Sequence, residues 1–192
     1  MYRKYFKFII VSSIILIVVG YIQNISSTEK KDIAPDFSAE DINGKIFNVG
    51  ESTGKPVVIQ FMRVYCHGGL REETKEQFKQ LSKLHNRYKN EIIFVTITIS
   101  SCKTSDLKEI AKEFGIKWTF INDYSDYNLD IIEKYSKYLK NLSDPALIFI
   151  NRKKEIVTTT NFCDDKKLDE YINSIIEVNK RLPVKSKGKN KK

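Results

Sequence analysis

Val57-Val58-Ile59-Gln60-Phe61, then Tyr65-Cys66-His67-Gly68-Gly69, then the run from Leu70 to Leu84 form the stretch whose reading decides the fold. The first segment is short, apolar and rich in β-branched residues, and Gly54 and Pro56 introduce it, so it reads as a buried strand. From Leu70 the period changes. Leu70, Thr74, Phe78, Leu81 and Leu84 recur at three- and four-residue steps among Arg71, Glu72, Glu73, Lys75 and Glu76, the pattern of an amphipathic helix. Cys66 therefore stands between strand and helix, at or just before a helix N-terminus, where free backbone N–H groups and the helix dipole favour a thiolate. Two glycines and a histidine beside it count against a plain core cysteine and make it the candidate for thiol chemistry.

Downstream, Ile92 to Ile99 is a second strand, apolar almost throughout and so suited to cover on both faces. Strand, helix, strand in that order implies a parallel pair with a right-handed crossover. Cys102 follows the second strand as Cys66 follows the first, which places both thiols at one edge of the sheet and leaves open whether they meet. Residues 106–114 read as a helix, with Asp106 and Glu109 at capping-box spacing and Gly115 as its stop. Residues 118–121 read as a strand and 129–139 as a tyrosine-rich helix. Asp144-Pro145 leads into the apolar strand 146–150; a turn at 151–154 joins it to a partner at 155–160. Residues 164–178 close the domain as a helix with Leu168, Ile172, Ile175 and Ile176 inward.

Upstream, Phe37 to Ile42 and Ile46 to Val49 flank Asn43-Gly44, the signature of a hairpin with a two-residue turn. Further back, Phe8 to Ile22 carries no charge and follows the basic residues Arg3, Lys4 and Lys7. The expectation is a membrane anchor, or a signal peptide, over residues 1–25, a linker over 26–33, the folded domain over 34–181 and a basic tail over 182–192. Basic residues ahead of the apolar run keep the N-terminus in the cytoplasm, so the domain is expected outside it, single-pass and tethered, or secreted if the segment is cleaved. The formal charge of +9 is concentrated at the two ends, and no helix between them carries a basic stripe interleaved with aromatics, so nucleic acid is not an expected partner. Three cysteines, Cys66, Cys102 and Cys163, are too few and too scattered for a disulfide framework or a zinc knuckle; no metal and no cofactor is implied. His85 reads as surface, and Tyr124, Tyr127, Tyr135 and Tyr138 as packing or, alternatively, a docking face.

The whole order resembles the α/β thioredoxin fold, a central mixed sheet flanked by helices, with an N-terminal β-hairpin and a membrane anchor added. More narrowly it resembles the membrane-anchored, extracytoplasmic TlpA/ResA-type thiol-disulfide oxidoreductases within the redoxin (AhpC/TSA) superfamily. The carriers of this resemblance lie between Ile33 and Val178: Ala34-Pro35-Asp36-Phe37 with Asn43-Gly44-Lys45, Gly54-Lys55-Pro56 before the first strand, Tyr65-Cys66 before Leu70-Arg71-Glu72-Glu73, and Asp144-Pro145-Ala146. The resemblance implies that Cys66 is the nucleophile, that Pro145 is a cis-proline lining the substrate groove, and that Asn161-Phe162-Cys163 lies in a loop near the site. His67, Gly68 and Gly69 would support Cys66. Where that family has Cys-x-x-Cys, this chain has Gly69 at the fourth position, so the second thiol must be Cys102, Cys163 or an external thiol. The implied partners are exported proteins with thiols or disulfides, an external thiol reductant and the membrane. Two other readings stand beside this one. An atypical peroxiredoxin would usually carry Pro-x-x-x-Thr-x-x-Cys, and Ile59 and Arg63 occupy those positions here; the other reading is a non-catalytic thioredoxin-like binding or assembly module.

Overall fold

The computed structural model describes residues 32–52, 54–66, 69–124, 130–141 and 143–177. The expected anchor, the basic tail, His67, Gly68 and Tyr127 lie outside the described residues, among which no helix is long and apolar enough to cross a membrane.

The strand read from Val57 extends to Arg63 (β3), and every residue from Val57 to Met62 is buried. Side chains alternate along a strand, so Val58 and Met62 enter the core on one face while Val57, Ile59 and Phe61 enter the core on the other. β3 lies beside β4 (Ile93–Ile99) in parallel, paired from Val57 with Ile93 to Arg63 with Ile99. β5 (Thr119–Asn122) pairs in parallel with the far side of β4. β6 (Ala146–Ile150) runs antiparallel to β3, and β7 (Ile156–Asn161) antiparallel to β6, which gives the order β5-β4-β3-β6-β7.

On one face, α1 (Glu72–Tyr88) buries Phe78, Leu81 and Leu84, α2 (Thr104–Glu113) buries Leu107, and α4 (Asp165–Glu177) buries Leu168, Ile172 and Ile175. On the other, Phe37, Val49 and α3 (Asp130–Leu139) cover Ile59, Ile97 and Ile148. A buried polar chain ties three neighbouring strand segments together. Trp118 Nε1–H donates to Thr96 Oγ1 at 3.0 Å, and the Thr96 hydroxyl donates to Gln60 Oε1 at 3.0 Å.

Several local expectations are corrected. β1 (Ser38–Glu40) and β2 (Ile46–Asn48) do form an antiparallel hairpin, but not around a two-residue turn. Asp41 N–H bonds Lys45 O at 2.9 Å, Asp41 Oδ1 accepts from Asn43 and Lys45 N–H, and of the pair only Gly44 takes positive φ, at 82°. Ile42 is the cause: its side chain is drawn into the core and its N–H bonds Phe120 O at 2.8 Å, which lengthens the loop. α2 starts at Thr104 after Lys103, with no side-chain cap, so Asp106 lies in the first turn and the capping box does not form. Gly115 does stop that helix: its φ is 64°, and Ile116 N–H reaches back to Ala111 O at 2.8 Å. His85 is half-buried rather than on the surface, its ring 5.3 Å from that of Trp118 and 5.6 Å from that of Phe94. Its imidazole titrates below the ordinary range because burial, with Lys89 and Lys117 nearby, disfavours the cation. Tyr135 is no docking residue; it is fully buried and its hydroxyl donates to Pro35 O at 2.9 Å.

Candidate active site at the edge of the parallel strands

β3 ends at Arg63 and β4 at Ile99, and those two residues are register partners, so the segments that follow leave the sheet side by side. Cys66 and Cys102 are joined there by a disulfide, with Cα atoms 5.2 Å apart across a sequence separation of 36. The two sulfurs differ in access. Cys66 is exposed, whereas Cys102 is 8% exposed and belongs to the core beneath the helices.

Cys66 does not sit at a helix N-terminus as expected. α1 begins at Glu72 after an extended Arg71, and Cys66 instead occupies a turn closed by Gly69 N–H to Tyr65 O (2.8 Å) and Tyr65 N–H to Gly69 O (3.4 Å). Leu70, which continues the helical period, is buried from this extended connection and not from the helix. Gly69 has φ of 70°, and a Cβ there would meet nothing within 4 Å; backbone handedness, not crowding, favours glycine. Cys102 is the cysteine that lies next to a helix start, just ahead of Lys103 and Thr104.

The segment before Cys102 brings two hydroxyls that sequence reasoning missed. Asn122, at the end of β5, grips Ser100 through both backbone groups, accepting from its N–H at 3.1 Å and donating to its carbonyl at 3.0 Å. Ser100 Oγ accepts from Cys102 N–H at 3.0 Å and stands 3.9 Å from Cys66 Sγ; Ser101 Oγ stands 3.6 Å from the same sulfur. Their only signal in the sequence was position: Ser100-Ser101 fill the interval between β4 and Cys102.

Across β3, the Asp144–Pro145 peptide is cis and leads into Ala146, the register partner of Phe61. Asp144 Oδ1 accepts from Arg63 N–H at 3.2 Å and Asp144 O from Arg71 Nη1 at 3.3 Å, while Asp144 Oδ2 is buried with no partner among the described residues. Burial pushes the Asp144 carboxyl above the usual carboxylate range, against the opposing pull of Arg63 N–H and the Arg71 and Arg63 charges. A groove of about 370 Å³ runs here, lined by Met62, Arg63, Tyr65, Leu139, Asp144 and Ala146. Tyr65, next to Cys66, is exposed at its rim.

Cys163 is free and buried, 6% exposed, with its N–H 3.5 Å from Gln77 Oε1. Burial pushes its thiol up to about 11. The disulfide thus joins two of the three expected cysteines and leaves Cys163 in the core. Among the described residues no three His, Cys, Asp or Glu side chains come together to hold a metal ion.

Residues 31–159 match the family model described as AhpC/TSA family. The chain belongs to the AhpC/TSA family. Among similar proteins is the thioredoxin-like protein YneN of Bacillus subtilis (strain 168), 22% identical over 128 residues that span 61% of this chain and 72% of YneN. Solved structures resemble this AhpC/TSA chain over most of its length. A thiol:disulfide interchange protein of the thioredoxin family from Chlorobium tepidum TLS matches 78% of this chain and 99% of its own, with a TM-score of 0.66 at 15% identity. A secreted Mycobacterium tuberculosis disulfide oxidoreductase homologous to E. coli DsbE matches 72% and 95%, with a TM-score of 0.57 at 19% identity. At those identities the likeness establishes the fold. This member of the AhpC/TSA family has the α/β thioredoxin fold of thiol-disulfide oxidoreductases, with a mixed sheet between layers of helices.

Proposed function

We propose that this chain is a membrane-tethered, extracytoplasmic thiol-disulfide oxidoreductase of the TlpA/ResA type whose working pair is Cys66 and Cys102 in place of Cys-x-x-Cys. The observation that carries the reading is the disulfide between an exposed Cys66 and a buried Cys102 at the ends of adjacent parallel strands. In the reduced protein the Cys66 thiolate attacks a disulfide of an exported protein, forming a mixed disulfide and releasing one partner sulfur as thiolate. The Cys102 thiolate then attacks Cys66 Sγ to form the Cys66–Cys102 bond, the mixed disulfide breaks, and the second partner sulfur leaves as a thiolate with the electron pair of the broken S–S bond. Two electrons have passed to the target and the Cys66–Cys102 disulfide remains. An external dithiol, itself oxidised to a disulfide, resets it. The groove lined by Asp144 and Ala146, the two neighbours of Pro145, and by Tyr65, the residue before Cys66, offers the target a seat. Tethering and an extracytoplasmic site rest on the uncharged Phe8–Ile22 behind basic residues, and a compartment without a reducing thiol pool suits the disulfide.

The test uses the reduced full chain with a disulfide-bearing protein substrate. Cys66→Ser is expected to abolish exchange, Cys102→Ser to accumulate a mixed disulfide through Cys66, and Cys163→Ser to exchange as the wild type does. Wild-type protein inert toward disulfides would overturn the proposal in favour of a binding module. Peroxide consumption dependent on Cys66, without disulfide exchange, would overturn it in favour of the peroxiredoxin.

A further inference from the structure

A thiolate nucleophile needs something to hold its charge, and the usual source, a helix N-terminus, is not at Cys66, since α1 starts only at Glu72. Two hydroxyls stand where that support is missing. We propose that Ser100 and Ser101 donate hydrogen bonds to the Cys66 sulfur when it is a thiolate, and so take the place of the absent helix start.

Each hydroxyl is aimed by its surroundings. Ser100 is 3% exposed and its oxygen already accepts the Cys102 N–H, so its own hydrogen is free to point at Cys66 Sγ, 3.9 Å away. Asn122 fixes the Ser100 backbone from both sides, so that aim does not depend on the disulfide. Ser101 Oγ is nearer the sulfur, at 3.6 Å, and has no other bond among the described residues. A divalent sulfur in a disulfide is a weak acceptor, which suits these long contacts; a thiolate is an ionised one, and hydrogen bonds to an ionised group are roughly twice as strong as neutral ones. The contacts therefore strengthen when the S–S bond breaks and favour the charged form over the neutral thiol. That preference serves both the attack by Cys66 and its departure from a mixed disulfide, so it holds for either direction of electron flow.

The inference deepens the proposed thiol exchange, but its readout is ionisation of Cys66 and needs no turnover. The reduced full chain is alkylated with iodoacetamide across a pH series, and labelling of Cys66 is followed by peptide mass, apart from Cys102 and Cys163. Ser101→Ala is expected to move the pH midpoint of Cys66 labelling up by roughly one unit, about a tenfold loss of thiolate at a pH below both midpoints. Ser101→Thr, which keeps the hydroxyl, is expected to return it to the wild-type position. Ser100→Ala should add to the shift; because it also strips the partner from Cys102 N–H, its fold is checked by circular dichroism and the Ser101 pair decides. An unmoved midpoint in Ser101→Ala and in the double Ser100→Ala/Ser101→Ala variant, or a threonine variant that titrates like alanine, would overturn the proposal. A wild type that exchanges no disulfide while Ser101→Ala still shifts the midpoint would sink the oxidoreductase and spare this inference; active exchange with an unmoved midpoint would do the reverse.

Discussion

Cys163 and Asp144 carry the same physical lesson with different outcomes. For Cys163, burial among the α1 and α4 side chains penalises the thiolate and pushes the thiol up to about 11. The reactive form is the thiolate, so the native chain at about pH 8 should leave Cys163 unlabelled by iodoacetamide while the chain unfolded in urea labels fully. Labelling of the native protein at the unfolded rate would place Cys163 in reach of solvent and reopen its part in the exchange. Asp144 is less enclosed, and burial still raises its carboxyl despite Arg63 and Arg71. A raised folded-state value means that ionising Asp144 costs more in the fold than in the open chain. Its stabilising contribution is complete below the ordinary carboxylate range and is lost as pH rises through the raised value. Asp144→Asn keeps an oxygen for Arg63 N–H and cannot ionise. The urea midpoint of the variant should therefore fall less than that of the wild type between about pH 3.5 and pH 7. Equal falls would assign that pH dependence to other groups.

Between strands, Thr96 is the link on which Trp118 and Gln60 both depend. Thr96→Val keeps the shape and removes both bonds, leaving Trp118 Nε1–H and Gln60 Oε1 buried and unpaired beside a Gln60 Nε2 that already lacks a partner among the described residues. At about 1–3 kcal/mol for each orphaned group, the loss should be at least about 2 kcal/mol, seen as a lower urea midpoint at unchanged m. A neutral result would mean that the chain is satisfied by another route. The same elements explain what was legible in the sequence. β3, β4, β6 and α1 were readable because each carries a nearly continuous apolar run or a long helical period, and their order alone brought Cys66 and Cys102 to one edge. The misplaced features were those set by contacts between distant segments. Ile42 bonds Phe120 and so reshapes the hairpin loop, and Leu70 keeps the helical period while lying outside the helix, which moved Cys66 away from a helix start that the pattern assigned to it. The Ser100–Asn122 grip follows from the β4/β5 register, Thr98 opposite Asn122, and no local pattern encodes that pairing.

At the scale of the molecule, the disulfide closes a loop of 36 residues that contains α1 and β4 and ties two neighbouring strand ends. Restricting the unfolded chain by such a loop is worth roughly 4 kcal/mol in the chain-entropy account. For a protein of this size 1 kcal/mol moves the thermal midpoint by about 2–4 °C, so the oxidised full chain should melt roughly 10 °C above the reduced one. The double variant Cys66→Ser/Cys102→Ser should show no response to the reductant, which separates this effect from any at Cys163. Linkage turns the same measurement into a statement about chemistry. Whatever stabilisation the disulfide lends the fold, the fold lends the disulfide, so a gap well under that estimate means that the folded protein favours the two thiols and that the couple is the more oxidising for it. The hydroxyls at Ser100 and Ser101 act in that direction, because they favour a charged Cys66 over a bonded one. The gap should therefore widen in Ser101→Ala, as the reduced form loses its thiolate partner. Melting of oxidised and reduced wild type at one temperature, with no change on substitution, would leave the Cys66–Cys102 bond without a role in stability and the Ser101 hydroxyl without one in the couple.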